Sequence, residues 1–111
     1  MDQLDRYREI VCRLIEAYAS YKPAYGDIRT EAIVDREHDH YEVMQVGWNG
    51  SQRVHGPIIH IDIRDGKVWI EHNGTDVRLA EELVAAGVSR DDIVLGFQPA
   101  ELRPLTSYGV G

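Results

Sequence analysis

The sequence predicts an α+β domain with an N-terminal helix, a four-stranded, mostly antiparallel sheet and short C-terminal helices, packed as two layers. Three observations carry that expectation. Apolar residues recur at helical spacing near the N-terminus. Alternating strand-like segments then follow one another across Asn49-Gly50 and Asp65-Gly66, and a second helical pattern comes only after them.

Asp2 to about Ser20 reads as the first helix. Leu4, Tyr7, Val11, Leu14, Ile15 and Tyr18 fall three or four residues apart and form one apolar stripe, with Arg6, Arg13 and Glu16 mostly opposite. Pro23 and Gly26 end it. Tyr18, Tyr21 and Tyr25 surround this exit. Their residue type suits ligand stacking, although packed rings with wet hydroxyls are the commoner outcome.

Ile28–Asp35 and Tyr41–Trp48 read as a hairpin around the polar stretch Arg36–His40. Arg53–Arg64 reads as the third strand, with a bulge or an edge at Gly56-Pro57, and Lys67–His72 as the fourth. A two-residue Asp65-Gly66 turn pairs Arg64 with Lys67. Ile63 then faces Val68 and Ile61 faces Ile70 on an apolar face, while Asp62 faces Trp69 and His60 faces Glu71 on a mixed, partly wet one.

Asp76–Ala86 reads as the second helix, with Thr75 as N-cap and Gly87 at its C-terminal end. Ser89 to Asp92 resembles a capping box, stapled by Val88 and Ile93, and predicts a short helical turn before Val94-Leu95-Gly96-Phe97. Pro99 and Pro104 argue against regular structure around them, and Ser107–Gly111 reads as a loose tail.

The 111 residues are expected to form a single domain, 1–111, with hydrophobic and charged fractions (43% and 28%) near the globular average. No apolar run reaches the roughly 20 residues of a membrane helix. The acidic N-terminus lacks the apolar core of a signal peptide, so no membrane association and a cytoplasmic location are expected. Cys12 is the only cysteine, which excludes an intramolecular disulfide; it is read as inert and partly buried beside the helix stripe. The formal net charge is −7 and the basic residues are scattered, so strong direct DNA binding is not expected.

Two clusters have side chains suited to chemistry. His38 and His40, beside Glu37 and Asp39, are weak metal candidates that would point the same way in an extended segment, but a solvated loop is the preferred reading. His60, Asp62 and Glu71 could support general-base chemistry. With no nucleophile or oxyanion donor identified, a cross-strand charge pair is preferred, and neither a cofactor nor a catalytic residue is assigned. Trp69, set among these charges, suits a partner contact.

Several segments read together resemble the XisI family, the controlling factors for excision of the fdxN DNA element. They are Tyr21-Lys22-Pro23 and Gly26 after the first helix, Asp39-His40-Tyr41 leading to Val46-Gly47-Trp48, His60-Ile61-Asp62-Ile63, Gly66-Lys67-Val68-Trp69-Ile70, Gly74-Thr75, Glu82-Leu83-Val84, and Gly87-Val88 followed by Asp92-Ile93-Val94-Leu95-Gly96-Phe97. The resemblance implies a non-enzymatic accessory factor in programmed DNA rearrangement in cyanobacteria. It also implies action through a protein partner such as the nuclease-fold protein XisH. Self-association is a second assembly left open. The competing classes are a small metal-dependent or histidine–carboxylate hydrolase, and a DNA-contacting subunit whose basic residues converge only on oligomerisation.

Overall fold

The computed structural model describes residues 2–23 and 25–111. Helix α1 (Gln3–Ala19) is capped by Asp2, whose carboxylate accepts from the Asp5 N–H at 2.8 Å. Strands β1 (Asp27–Asp35), β2 (His40–Asn49), β3 (Gln52–Arg64) and β4 (Lys67–Asn73) follow as an antiparallel meander. Helix α2 (Leu79–Ala86) then returns the chain to β5 (Ile93–Leu95), which pairs parallel with β4. The sheet is therefore five-stranded and mixed, in the order β1-β2-β3-β4-β5, one strand more than the sequence predicts. The short helical turn expected before Val94 is a 3-10 turn at Arg90–Asp92, and the strand after it has only three residues. So short a strand carries little period of its own, and it forms because β4 offers an open edge.

The Asp65-Gly66 turn behaves as read. Both residues have positive φ (54° and 75°), and Ile63 pairs Val68 while Ile61 pairs Ile70. All four are buried, together with Tyr41, Val43 and Ile59 of the same face. The stripe Tyr7, Val11 and Ile15 of α1, with Leu79 and Leu83 of α2, closes over them. Cys12 lies in this layer, and desolvation raises its thiol pKa, which suits a packing role.

Two bulges alter the sheet. On β3, Val43 pairs Ile59 but Met44 pairs Pro57, so Ile58 is the extra residue beside the expected Gly56-Pro57 irregularity. On β4, Ile61 pairs Ile70 but His60 pairs His72, so Glu71 is the extra residue. The expected His60–Glu71 pairing is thereby corrected. Glu71 packs instead against Gly96, where a Cβ would collide with its carboxylate.

Other corrections concern caps. Helix α2 begins at Leu79, not Asp76, and Arg78 occupies the cap position without a side-chain capping bond. Thr75 is bound to Asn73, and its hydroxyl accepts from the Val77 N–H, which holds a turn in place of the first helical residues. Ser89 makes no capping bond. Asp92 accepts instead from the Tyr7 hydroxyl at 2.6 Å and from Gln3 at 2.9 Å, tying α1 to the 3-10 turn. Burial, then Asp92, raises the Tyr7 pKa. The C-terminal tail is ordered too. A 3-10 helix spans Ala100–Leu105 with Pro104 inside it, and the Gly109 N–H donates to the Ile93 carbonyl at 2.7 Å. No helix among the described residues is long and apolar enough to cross a membrane.

Candidate functional site

The polar stretch after β1 sends His38, Asp39 and His40 to three different places. Arg36–Asp39 is a turn rather than an extended segment, and Asp39 has φ 60°. His38 folds back on Asp35, with Nδ1 2.9 Å from Oδ2. The backbone N–H and ring of His38 hold Asp35 below the usual carboxylate range. Asp39 turns toward the helix layer, where Arg8 donates to both its oxygens (2.8 and 3.0 Å) and the buried Tyr41 hydroxyl donates at 2.8 Å. Burial alone would raise the Asp39 pKa, but the bonds from Arg8 and Tyr41 outweigh it and the net shift is downward. His38 and His40 therefore do not form a pair.

His40 opens β2 and faces the other side of the sheet. The Ile58 bulge makes it the direct partner of Asp62, and makes Glu42 the partner of His60. These four residues form a two-by-two block on the face away from the helices, with histidines on one diagonal and carboxylates on the other. Asp62 Oδ1 lies 2.7 Å from His40 Nδ1 and 2.8 Å from His60 Nε2. The far nitrogen of His60 lies 3.7 Å from Glu42 Oε1. His40, His60 and Asp62 each place a ligand-type atom within 4.8 Å of the others. The hydrogen bond that His40 donates to Asp62, then the charge of that carboxylate, raises the pKa of His40. His60 and Asp62 were legible as one cluster in the sequence. Its true companions, His40 and Glu42, become visible only once the β3 bulge fixes the β2–β3 register.

Trp69 does not lie on a wet surface. It is only 6% exposed. The guanidinium of Arg64 sits 3.7 Å from its ring centroid and that of Arg103, from the C-terminal 3-10 helix, sits 5.1 Å away. Trp48 on β2 is the open indole instead, 48% exposed with Arg53 5.2 Å from its ring.

At the end of α1 the three tyrosines line a groove with Pro23, Thr30 and Val77. The Tyr18 hydroxyl donates to Glu82 at 2.6 Å, and burial followed by that carboxylate pushes its pKa up to about 12. Tyr21 and Tyr25 are largely exposed.

Residues 1–110 match the family model of the XisI protein. The fold superposes on a crystal structure of a XisI-like protein from Anabaena variabilis ATCC 29413 with a TM-score of 0.91 and 46% identity, covering 97% of this chain and 99% of that one. It also superposes on the crystal structure of the fdxN element excision controlling factor XisI from the same strain, with a TM-score of 0.82 and 32% identity, covering 99% of this chain and 100% of the other. Among curated proteins no match is found.

Proposed function

The chain belongs to the XisI family, and from that premise we propose that it is a controlling factor in programmed excision of a DNA element. In this reading it works in the cytoplasm of a cyanobacterium as an accessory subunit, through a protein partner such as an XisH-like nuclease-fold protein. The observation that carries it is the near-complete correspondence with a protein described as an excision controlling factor, at 32% identity with 99% of this chain and 100% of the other covered.

Electrostatics supports a protein partner over direct contact with DNA. The chain carries a formal charge of −7. Such a surface is repelled by phosphate but complements a basic, nucleic-acid-binding protein. Burial of Trp69 moves the preferred contact surface away from it. Trp48 and Ile33, exposed on β2 and β1, offer apolar contacts on the side of the sheet away from the helices.

The test is titration calorimetry of the full chain against the XisH-like protein of the same cell, alongside gel shifts with duplex DNA. A saturable protein complex, with no duplex binding by the isolated chain at about 0.15 M salt, is expected. Sub-micromolar DNA binding by the chain alone, with no protein complex, would replace this reading with that of a DNA-contacting subunit.

A further inference from the structure

The His40–His60–Asp62 cluster has a property that a cross-strand charge pair does not require. Two imidazole nitrogens, from two neighbouring strands, converge on one carboxylate oxygen, Asp62 Oδ1. We propose that His40 Nδ1, His60 Nε2 and Asp62 bind one divalent transition-metal ion of the imidazole-preferring class, Zn2+ foremost, leaving a coordination position open to solvent.

The donor set is the first argument. Two neutral imidazoles and a carboxylate suit Zn2+ and its neighbours, and are a poor match for Mg2+ or Ca2+, which take oxygen ligands. Geometry is the second. Metal–ligand bonds near 2.0–2.1 Å place tetrahedral ligand atoms about 3.3 Å apart. The present nitrogen–oxygen separations of 2.7 and 2.8 Å need only small side-chain rotations to open that far. The third argument is support from behind. A ligating histidine ordinarily donates its other ring N–H to a carboxylate or carbonyl. Glu42 Oε1, 3.7 Å from His60 Nδ1, is a short side-chain movement away from accepting that N–H once Nε2 gives up its bond to Asp62 for a metal ion.

Position and charge agree with this. The three ligands sit on the paired strands β2 and β3 and not on a loop. Asp35 pairs with His40 from β1, adding a further carboxylate at the rim. The nearest cation along β3, Arg64, is held over Trp69. The His40 side chain is 58% exposed, which gives an ion a route from solvent, while the Asp62 side chain is 13% exposed and anchors the site.

The test is titration calorimetry of the full chain with Zn2+ near pH 7.4, with Co2+ absorption as an independent report of coordination. One Zn2+ per chain is expected, with affinity lowered by about 10-fold or more in His40→Gln and in His60→Gln, and unchanged in His72→Gln. His40→Gln changes an exposed side chain, so it keeps the test valid if His60→Gln disturbs folding. Binding should also weaken as pH falls, because protons compete for the imidazoles. Absence of saturable binding at about 100 μM Zn2+, equal affinity in wild type and His40→Gln, or a preference for Ca2+ would each overturn the site. None of these outcomes depends on the partner complex, so the two readings fail separately.

Discussion

The two faces of the β2–β3–β4 sheet are made from alternating residues of the same strands, yet they are specified in different ways. On the helix side Tyr41, Val43, Ile59, Ile61, Ile63, Val68 and Ile70 are buried in one continuous core. On the opposite side His40, Glu42, His60 and Asp62 form a polar block, and Trp69 is covered by arginines. The apolar face is over-determined, because many side chains agree on it and a slip by one residue would expose them all. The polar face has no such redundancy. Its composition depends on where the two bulges fall.

Mutations on adjacent residues sharpen the contrast. Ile61→Ala should cost about 2–5 kcal/mol, by lost transfer energy and a residual cavity. His60→Gln, one position away, should cost about 1 kcal/mol or less, as expected for a partly exposed hydrogen-bonded side chain. Urea unfolding of both variants measures the difference. Similar losses would mean that the polar block contributes to the fold as the core does.

Gly47→Ala tests where the helix-side face meets the outer hairpin. A Cβ at Gly47 would collide with the Asp27 carbonyl oxygen and the Ile28 Cα on β1. Since both contacts are backbone, relief requires β1 to move, and a loss of about 1–3 kcal/mol is expected. Gly50→Ala provides a control for steric crowding, because nothing lies within 4 Å of its added Cβ, although its φ of 62° still disfavours a side chain.

A smaller effect separates the two indoles. Arg103→Ala should cost about 0.5–1 kcal/mol through loss of one guanidinium near Trp69. It should also make Trp69 fluorescence more sensitive to acrylamide in a Trp48→Phe background. In the parent protein Trp48 should be quenched strongly and Trp69 weakly. Equal quenching of the two would show that the C-terminal segment does not cover Trp69 in solution.

The smallest effects are in titration, and the two faces have opposite signs. His40 holds its proton more tightly folded than unfolded. Its contribution is therefore fully present below the ordinary histidine value near 6.5 and is lost as pH rises through the raised folded value. Asp39, on the helix side, has a lowered pKa. Its contribution is present above the ordinary aspartate value near 3.9 and is lost as pH falls through the lowered one. Histidine NMR titration should show the His40 pKa returning toward 6.5 in Asp62→Asn. A His40 pKa that does not respond would break the pairing with Asp62.

What could be read from the sequence follows the same division. The α1 stripe, the four long strands, the Asp65-Gly66 turn and the burial of Ile61, Ile63, Val68 and Ile70 all rest on repeated local signals. They agree with one another, so a single misread residue changes little. The resemblance to XisI proteins likewise rested on many short segments spread along the chain, and the whole-length match bears it out.

Tertiary structure decided the rest. Counted straight from the Asn49–Gln52 pair, His40 would meet Ile61; the Ile58 bulge moves it to Asp62. Counted straight from Asp65-Gly66, His60 would meet Glu71; the second bulge replaces Glu71 with His72. The strand Ile93–Leu95 exists because the edge of β4 is available, and Trp69 is buried because Arg103 arrives from a segment 34 residues later in the chain. Side chains alternate with a period of two, so one inserted residue exchanges the partners of every residue beyond it. Gly56-Pro57 marks where the ladder can break, but not which residue is left unpaired. Packing of the flanking strands against the helices makes that choice, and with it determines which histidines and carboxylates meet.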